Sequence, residues 1–278
     1  MFRPPFDDIW APMAHAMIFS LAATLTLLAA AVAALRGPIG ATATQWAILL
    51  AAAAGPLART LAQIWAGWGT GFANALWVTI ATCMVVFLLL TIVNRQILRL
   101  APLLLPYLFL LAVIATIWSQ ADAPPLVAGT PTIWITLHIA TSVITYALVT
   151  LAAIAGIAVL FQESMLRRKR RRQILEHLPS VADSERLELR LLVAAELVLG
   201  LGIISGMATE YFATGTAITF DHKTIFSLGA FALIGLLLAA HYGVGLRGRR
   251  AARLALTGYL LLTLGYPGVK FVTDVLLA

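Results

Sequence analysis

Residues 132–172 read TIWITLHIATSVITYALVTLAAIAGIAVLFQESMLRRKRRR, and this stretch contains the pattern that decides the fold. No Asp, Glu, Lys or Arg occurs between residues 132 and 162, and six consecutive basic residues then run from Arg167 to Arg172. A helix needs about 20 apolar residues to cross the hydrocarbon core of a bilayer. Basic residues concentrate in the loops on the cytoplasmic side. The stretch therefore predicts a transmembrane helix over about 132–162 that ends at the cytoplasmic surface.

The same apolar pattern recurs along the whole chain. Of its 278 residues, 61% are hydrophobic and only 11% are charged, whereas about one-quarter of the residues in a soluble domain are charged. Helix is favoured over strand because an open sheet would leave backbone groups unpaired in lipid. We predict an all-α fold, a polytopic membrane helix bundle of about eight transmembrane helices that forms a single integral membrane domain over residues 1–278. The predicted spans are roughly 14–35, 43–64, 72–93, 100–118, 132–162, 189–209, 224–246 and 254–276.

The basic residues predict the orientation of the bundle. Fifteen of the nineteen Lys and Arg residues fall in the connections that follow spans 1, 3, 5 and 7. The positive-inside rule places these connections in the cytoplasm, so both termini are predicted to lie outside, on the periplasm-like face. The four remaining basic residues are Arg3, Arg59, Lys223 and Lys270.

Several functions are excluded or disfavoured by composition. The net charge of +7 comes from short loops between apolar runs, which predicts contact between the 167–172 run and anionic lipid and no binding of nucleic acid. Cys83 is the one cysteine, so neither a disulfide within the chain nor a thiolate metal site is possible. No motif of a hydrolytic or phosphoryl-transfer enzyme occurs, and we do not expect an enzyme.

Three histidines are candidates for binding a cofactor near the outer face. His15 is near the outer end of span 1, His138 lies about two turns inside the outer end of span 5, and His222 begins span 7. An imidazole in a bilayer is costly unless it is paired, so His138 is either a ligand or the partner in a hydrogen bond between helices. Histidines from different helices that face one cavity can ligate haem iron. We predict His138 and His222 as iron ligands and His15 as a further candidate.

Two basic residues near the same face are candidates for contacts with haem propionates. These are Arg59, near the outer end of span 2, and Lys223, beside His222. The alternative for Arg59 is that it extends to the lipid head groups. Most tryptophans also fall near this face, which indicates an aromatic platform or, alternatively, ordinary anchoring at the membrane interface. They are Trp10, Trp65, Trp68, Trp77, Trp118 and Trp134.

Several segments together resemble a known family. They are WITLHIATSVITYALVTLAAIAGIAVLFQESMLRRK (134–169), LPSVADSERLELRLL (178–192), GLGIISG (200–206), DHK (221–223) and LRGRRAARLALTGYLLLTLGYPGVKFV (246–272). Their order and spacing resemble the CcsA/CcmC/HemX superfamily of cytochrome c assembly membrane proteins, and most closely its short eight-helix YpjD/HemX-like branch. The resemblance covers about residues 130–275, whereas the four helices within residues 1–120 match only in length and hydrophobicity.

The resemblance implies a location and a role. It implies a multi-pass protein of the bacterial inner membrane that binds haem and takes part in its delivery to apocytochrome c at the periplasmic face. Its partners would be haem and other membrane proteins of cytochrome c maturation. By resemblance, His138 falls on the family's first outward histidine. Asp221 and Lys223 fall at the end of its tryptophan-rich WWD motif, which makes Asp221 a further candidate for cofactor binding.

Two other functions remain open from the sequence. Glu196 in span 6 and the pair Lys270 and Asp274 in span 8 motivate a small-molecule transporter or exporter. For Glu196 we predict first a buried hydrogen bond between helices, and for Lys270 and Asp274 a local ion pair. The loop EYFATGTAITFDHK (210–223) lacks the tryptophans of the WWD motif. An accessory membrane scaffold without a bound ligand is therefore the third candidate.

Overall fold

The computed structural model describes residues 7–37, 40, 42–66, 71–119, 132–167, 178–216, 219 and 221–272, without the side chains of residues 7–16, 66, 132 and 167. Helices are the regular elements in these ranges, which confirms the all-α prediction. A short 3₁₀ segment, Arg95–Leu100, leads into α4. The helices are α1 (Asp7–Arg36), α2 (Ala43–Ala66), α3 (Phe72–Val93), α4 (Ala101–Ile117), α5 (Thr132–Arg167), α6 (Val181–Thr214), α7 (His222–Val244) and α8 (Arg249–Thr263).

Seven helical segments of the described chain are long and apolar enough to cross a membrane, and they match the first seven predicted spans. The eighth predicted span differs in form. After α8 the chain continues as a π-helical turn, Leu264–Gly268, and a three-residue helix, Val269–Phe271. The N–H of Val269 bonds to the carbonyl of Leu264, five residues earlier, which is the π-helical register. Pro267 has no N–H to give to a regular helix at this point.

Helix α6 begins well before the predicted start of span 6. Span 6 is predicted over 189–209, but the polar residues before it are helical from Val181 onward. Ser180 caps the helix by accepting a hydrogen bond of 3.2 Å from the N–H of Asp183. Buried residues then recur at helical spacing, which gives the polar stretch one face that packs against the bundle. They are Ser184, Leu187, Glu188 and Leu191.

Helix α5 is the centre of the bundle. It packs along α6 for much of its length and also against α3 and α8, while α1 packs against α2 and α4. The helix ends that were predicted to share the outer face do lie together. The end of α2, the starts of α3, α5 and α7, and the turn after α8 surround one cavity. The alternation of the spans is therefore correct, and the compartment that this end faces remains a prediction.

Candidate functional site

A cavity opens at this end of the bundle and encloses about 280 Å³, close to the lower limit of about 300 Å³ for small-molecule sites. Apolar atoms form most of its surface. Lys223 is exposed and also lines the cavity, so this residue marks the opening to the surface. The polar lining residues in the described part of the chain are Thr60, Gln63, Asn74, Thr79, His138, Ser142, Thr145, Tyr146, Lys223, Ser227 and Tyr266.

The imidazole of His138 is held in one orientation. Its Nδ1 lies 3.0 Å from the carbonyl oxygen of Gly202 on α6, and the hydroxyl of Ser205 is 3.5 Å from the same nitrogen. A carbonyl oxygen only accepts, so Nδ1 carries the hydrogen and donates it. In the neutral ring the lone pair is then on Nε2, for which the described residues provide no hydrogen-bond partner. Metal-binding histidines commonly have this arrangement.

Glycines of α6 make the close approach of His138 possible. A Cβ atom at Gly206 would lie 2.9 Å from Cε1 and 3.1 Å from Nδ1 of the His138 ring. At Gly202, a Cβ would contact the hydroxyl of Thr141 at 3.4 Å. These glycines of the GLGIISG segment (200–206) thus allow close packing of α5 on α6, and at Gly206 they also leave the space that the imidazole occupies.

The other predicted ligands are arranged differently. His222 is exposed at the start of α7 and does not line the cavity, so the predicted pair of His138 and His222 does not come together in the described structure. The reason is rotational, because His222 and the cavity-lining Lys223 are neighbours about 100° apart around the helix. His15 belongs to α1, but its side chain lies outside the described residues.

Asp221 is the N-cap of α7. Its Oδ1 accepts a hydrogen bond of 2.8 Å from the N–H of Thr224. Partial burial disfavours the charged carboxylate, but the hydrogen bonds from Thr224 and the charges of Lys223 and His222 outweigh it and lower the pKa of Asp221. The observed contact of Asp221 is therefore with its own helix, and the adjacent Lys223 is the member of the DHK segment that reaches the cavity.

Arg59 is buried, with only 6% of its surface exposed, so it does not extend to the lipid head groups. Its Nε donates to the hydroxyl of Ser20 on α1 at 2.9 Å, and its Nη1 donates to Oε1 of Gln63 at 3.1 Å. Gln63 and the neighbouring Thr60 line the cavity, whereas Arg59 lies behind them.

Three further polar groups at the cavity were not predicted from the sequence. The hydroxyls of Thr60 and Thr145 are buried and have no hydrogen-bond partner in the described structure. The phenol of Tyr146 lies 3.0 Å from the Thr263 hydroxyl and 3.3 Å from that of Tyr259. A tyrosine or threonine in an apolar span carries no sequence signal for the direction in which it points, so only the rotation of each helix could reveal these groups.

The tryptophans whose side chains are described do not form one platform, and the side chains of Trp10 and Trp68 lie outside the described residues. Trp118 packs with Phe72 and Phe271 at ring-centroid distances of 6.4 and 5.9 Å, which ties together the ends of three helices. Trp134 stacks on Phe212 at 6.4 Å. Trp77 is fully buried, and Trp65 is 89% exposed. The described indoles therefore divide among packing, stacking and surface positions.

A family model described as "Cytochrome C assembly protein" matches residues 68–277, which is most of the chain. The chain belongs to the cytochrome c assembly protein family. The match begins just before α3, so it extends beyond the residues 130–275 that suggested the resemblance. Membership supports a role in cytochrome c biogenesis for this multi-pass membrane protein, and assignment to the YpjD/HemX-like branch remains a prediction.

This member of the cytochrome c assembly family is similar in sequence to two further proteins. It is 49% identical over 270 residues to an "Uncharacterized 28.8 kDa protein in nifR3-like 5'region" of Azospirillum brasilense, covering 95% of this chain and 100% of that protein. It is 27% identical over 171 residues to "Cytochrome c biogenesis protein CcsA" of Synechococcus sp. (strain RCC307), covering 54% of this chain and 55% of that protein. No solved structure matches at a significant level.

The cytochrome c assembly family is associated with the handling of haem, and the cavity residues fit a haem iron held through one imidazole. His138 presents a free Nε2, the walls are mostly apolar, and Lys223 at the opening suits a carboxylate. His138 is the one histidine among the cavity-lining residues of the described chain. Within the described ranges, no group of three or more His, Cys, Asp or Glu residues could hold a metal ion by itself.

Glu196, which suggested a transporter, does not make the hydrogen bond between helices that was predicted for it. Its Oε2 is buried without a partner in the described structure, and its Oε1 lies 3.0 Å from where a Cβ would stand at Gly235 of α7. A glycine offers no side-chain group to bond with, which is the physical reason for the difference. The proposed pair of Lys270 with Asp274 involves a residue outside the described range.

Proposed function

We propose that this protein holds haem at the periplasmic end of the bundle during cytochrome c maturation, with His138 as the axial ligand. The observation that carries the proposal is the hydrogen bond from Nδ1 of His138 to Gly202, which leaves Nε2 as the free nitrogen of a residue that lines the cavity. When bound, haem supplies a redox-active iron that takes imidazole as an axial ligand.

The protein's own residues would divide the task of holding haem. Gly202 and Gly206 orient and accommodate the His138 ring. Lys223, at the opening, would pair with a carboxylate of the ligand. His222 and Asp221 lie beside this opening at the surface, where they would contact the ligand only outside the cavity.

The orientation is part of the proposal. The basic ends of α5 and α7 lie at the opposite end of the bundle from the cavity, so the positive-inside rule supports a cavity that faces the periplasm of the inner membrane. This end would meet the partners of cytochrome c maturation, while the basic run 167–172 would contact anionic lipid. Accessibility of single introduced cysteines on each side of intact cells tests this orientation.

A pair of matched histidine variants tests the haem site. In His138→Asn, the amide nitrogen takes the place of Nδ1 and keeps a donor for Gly202, while the nitrogen equivalent to Nε2 is lost. His241 has the same bond, from Nδ1 to the carbonyl of Leu246 at 2.9 Å, but it lies at the other end of α7. His241→Asn is therefore the control.

The measurement is the absorption spectrum of each protein purified in mild detergent, before and after addition of haem. We expect a Soret band in the wild type and in His241→Asn, and its loss or a marked weakening in His138→Asn with the fold retained. Equal haem content in all three proteins would remove His138 from the site. A wild type that takes up no haem would contradict the proposal and would favour the accessory scaffold.

A further inference from the structure

One wall of the cavity comes from outside the part of the chain that the family model matches. Thr60, Gln63 and Ile64 line the cavity from α2, and the family match begins only at residue 68. We call the group formed by Ser20, Arg59, Thr60 and Gln63 the α1–α2 wall. This wall therefore belongs to the N-terminal hairpin, outside the range that the family model matches.

The α1–α2 wall contains a buried cation. Arg59 is 6% exposed and donates to two neutral oxygens, Oγ of Ser20 and Oε1 of Gln63. No carboxylate of the described residues lies within ion-pair distance of it. A guanidinium removed from water without an anion is costly, and in a membrane span such a group usually marks a functional position. Among the described residues the wall therefore has no negative partner, and a ligand would supply one.

Arg59 also determines which part of Gln63 is available. Because Oε1 of Gln63 accepts the bond from Nη1 of Arg59, the amide NH₂ is the part of Gln63 left for the cavity. One helical turn earlier, the buried hydroxyl of Thr60 has no partner in the described structure. The α1–α2 wall thus presents hydrogen-bond donors with a positive charge behind them, so a matching ligand must present acceptors.

We propose that the α1–α2 wall recognises a carboxylate group of the molecule bound in the cavity. This inference rests on the proposed function, because the carboxylates would be those of a porphyrin. Gln63 donates to the carboxylate, and Arg59 acts as a positioning residue through Gln63. A carboxylate and a lipid phosphate share this chemistry, and we assign the site to the ligand in the cavity because Thr60 and Gln63 line that cavity.

The experiment compares protoporphyrin IX with its dimethyl ester, which has the same ring without free carboxylates. Both are free of iron, so binding to the full-length protein in nanodiscs of neutral lipid is independent of the iron–His138 bond. Affinity is measured by porphyrin fluorescence anisotropy. A hydrogen bond to a charged group is worth roughly a factor of ten or more, so we expect the wild type to prefer the acid about tenfold.

Variants assign this preference to the α1–α2 wall. Gln63→Glu keeps an acceptor for Arg59 and the same shape, but it replaces the NH₂ donors by a carboxylate oxygen. We expect it to fold and to lose the preference for the acid or to reverse it. Gln45→Glu is the matched control, since it makes the same change in the same helix at the opposite end, where Gln45 bonds Thr42. It should behave as the wild type, and Arg59→Gln should resemble Gln63→Glu.

Each other outcome has a definite meaning. Equal affinity of the wild type for acid and ester would overturn the carboxylate assignment and leave the haem function standing. Retention of the preference in Gln63→Glu would remove the α1–α2 wall from recognition. If anionic nanodisc lipid abolishes the preference in the wild type, the wall binds a lipid phosphate and this proposal is wrong. Failure of both porphyrins to bind would reject the carboxylate site, whereas the proposed function is decided separately by the haem spectra of the wild type and His138→Asn.

Discussion

Replacement of Gly206 by alanine tests whether the orientation of the His138 ring matters for binding, because it disturbs the ring and leaves the histidine in place. The added Cβ would lie 2.9 Å from Cε1 of His138, whereas ordinary contact begins at 3.4 Å, so the ring must move by about half an ångström. The bond from Nδ1 to Gly202, now 3.0 Å long, would be stretched or bent by this movement. The free Nε2 would turn with the ring.

The energies predict a larger effect on ligand binding than on folding. Alanine is favoured over glycine inside a helix by about 1 kcal/mol. Weakening the histidine hydrogen bond removes about 1 kcal/mol, and these two effects nearly cancel. What remains is local overpacking of about 1–3 kcal/mol, which the fold should survive. Misorienting a metal-binding histidine typically costs about 10–100-fold in metal affinity.

The assay is haem titration followed at the Soret band, together with thermal unfolding of the same samples. We expect Gly206→Ala to weaken haem binding about 10–100-fold while it lowers the free energy of unfolding by no more than about 3 kcal/mol. Gly200→Ala is the control in the same helix, since a Cβ there meets only an ordinary contact of 3.4 Å with Phe231. Unchanged haem affinity in Gly206→Ala would refute the view that the ring orientation matters.

Two further predictions concern helix ends and packing. Asp221→Ala should destabilise the protein by about 1 kcal/mol at neutral pH through loss of the N-cap. The pKa of Asp221 is lowered in the folded state, so this stabilisation is fully present above the ordinary aspartate pKa of about 3.9. It is lost as the pH falls through the lowered value. The melting temperatures of the wild type and the variant should therefore converge at acid pH. Gly55→Ala would place a Cβ 2.7 Å from the Thr26 hydroxyl and should cost about 1–3 kcal/mol in urea unfolding. Gly37→Ala, which meets nothing within 4 Å, should be near neutral, and equal stability of the two alanine variants would contradict the close packing of α1 on α2.

The spans could be predicted because the hydrophobic length needed to cross a bilayer is a one-dimensional property of the sequence. The start of α6 could not be predicted in the same way. Its first turns are polar overall, and only the pairing of a Ser180 cap with buried residues at helical spacing makes them helical. The π-helical turn after α8 could not be predicted from hydropathy either, because hydropathy is unaffected when the hydrogen-bonding register of a helix shifts by one residue.

The candidate site was predicted in part. His138 and Lys223 do line one cavity, and Arg59 lies directly behind its wall. The sequence predicted that these residues lie at the same end of the bundle, because the position of a residue along a span determines its depth in the membrane. Whether a residue faces the cavity depends on rotation about each helix axis. For this reason His222 does not line the cavity. Thr145 does line it, although it was not among the predicted site residues.

The wide turn at Leu264–Gly268 makes one rim of the cavity sensitive to the number of residues in the chain. Gly265 and Tyr266 belong to that rim. If this turn closed into a regular helix with its residue number unchanged, everything that follows would rotate by about 100°. Phe271 would then leave its aromatic neighbours Phe72 and Trp118. Homologous chains should therefore have a regular helix at this point only where they are also one residue shorter there.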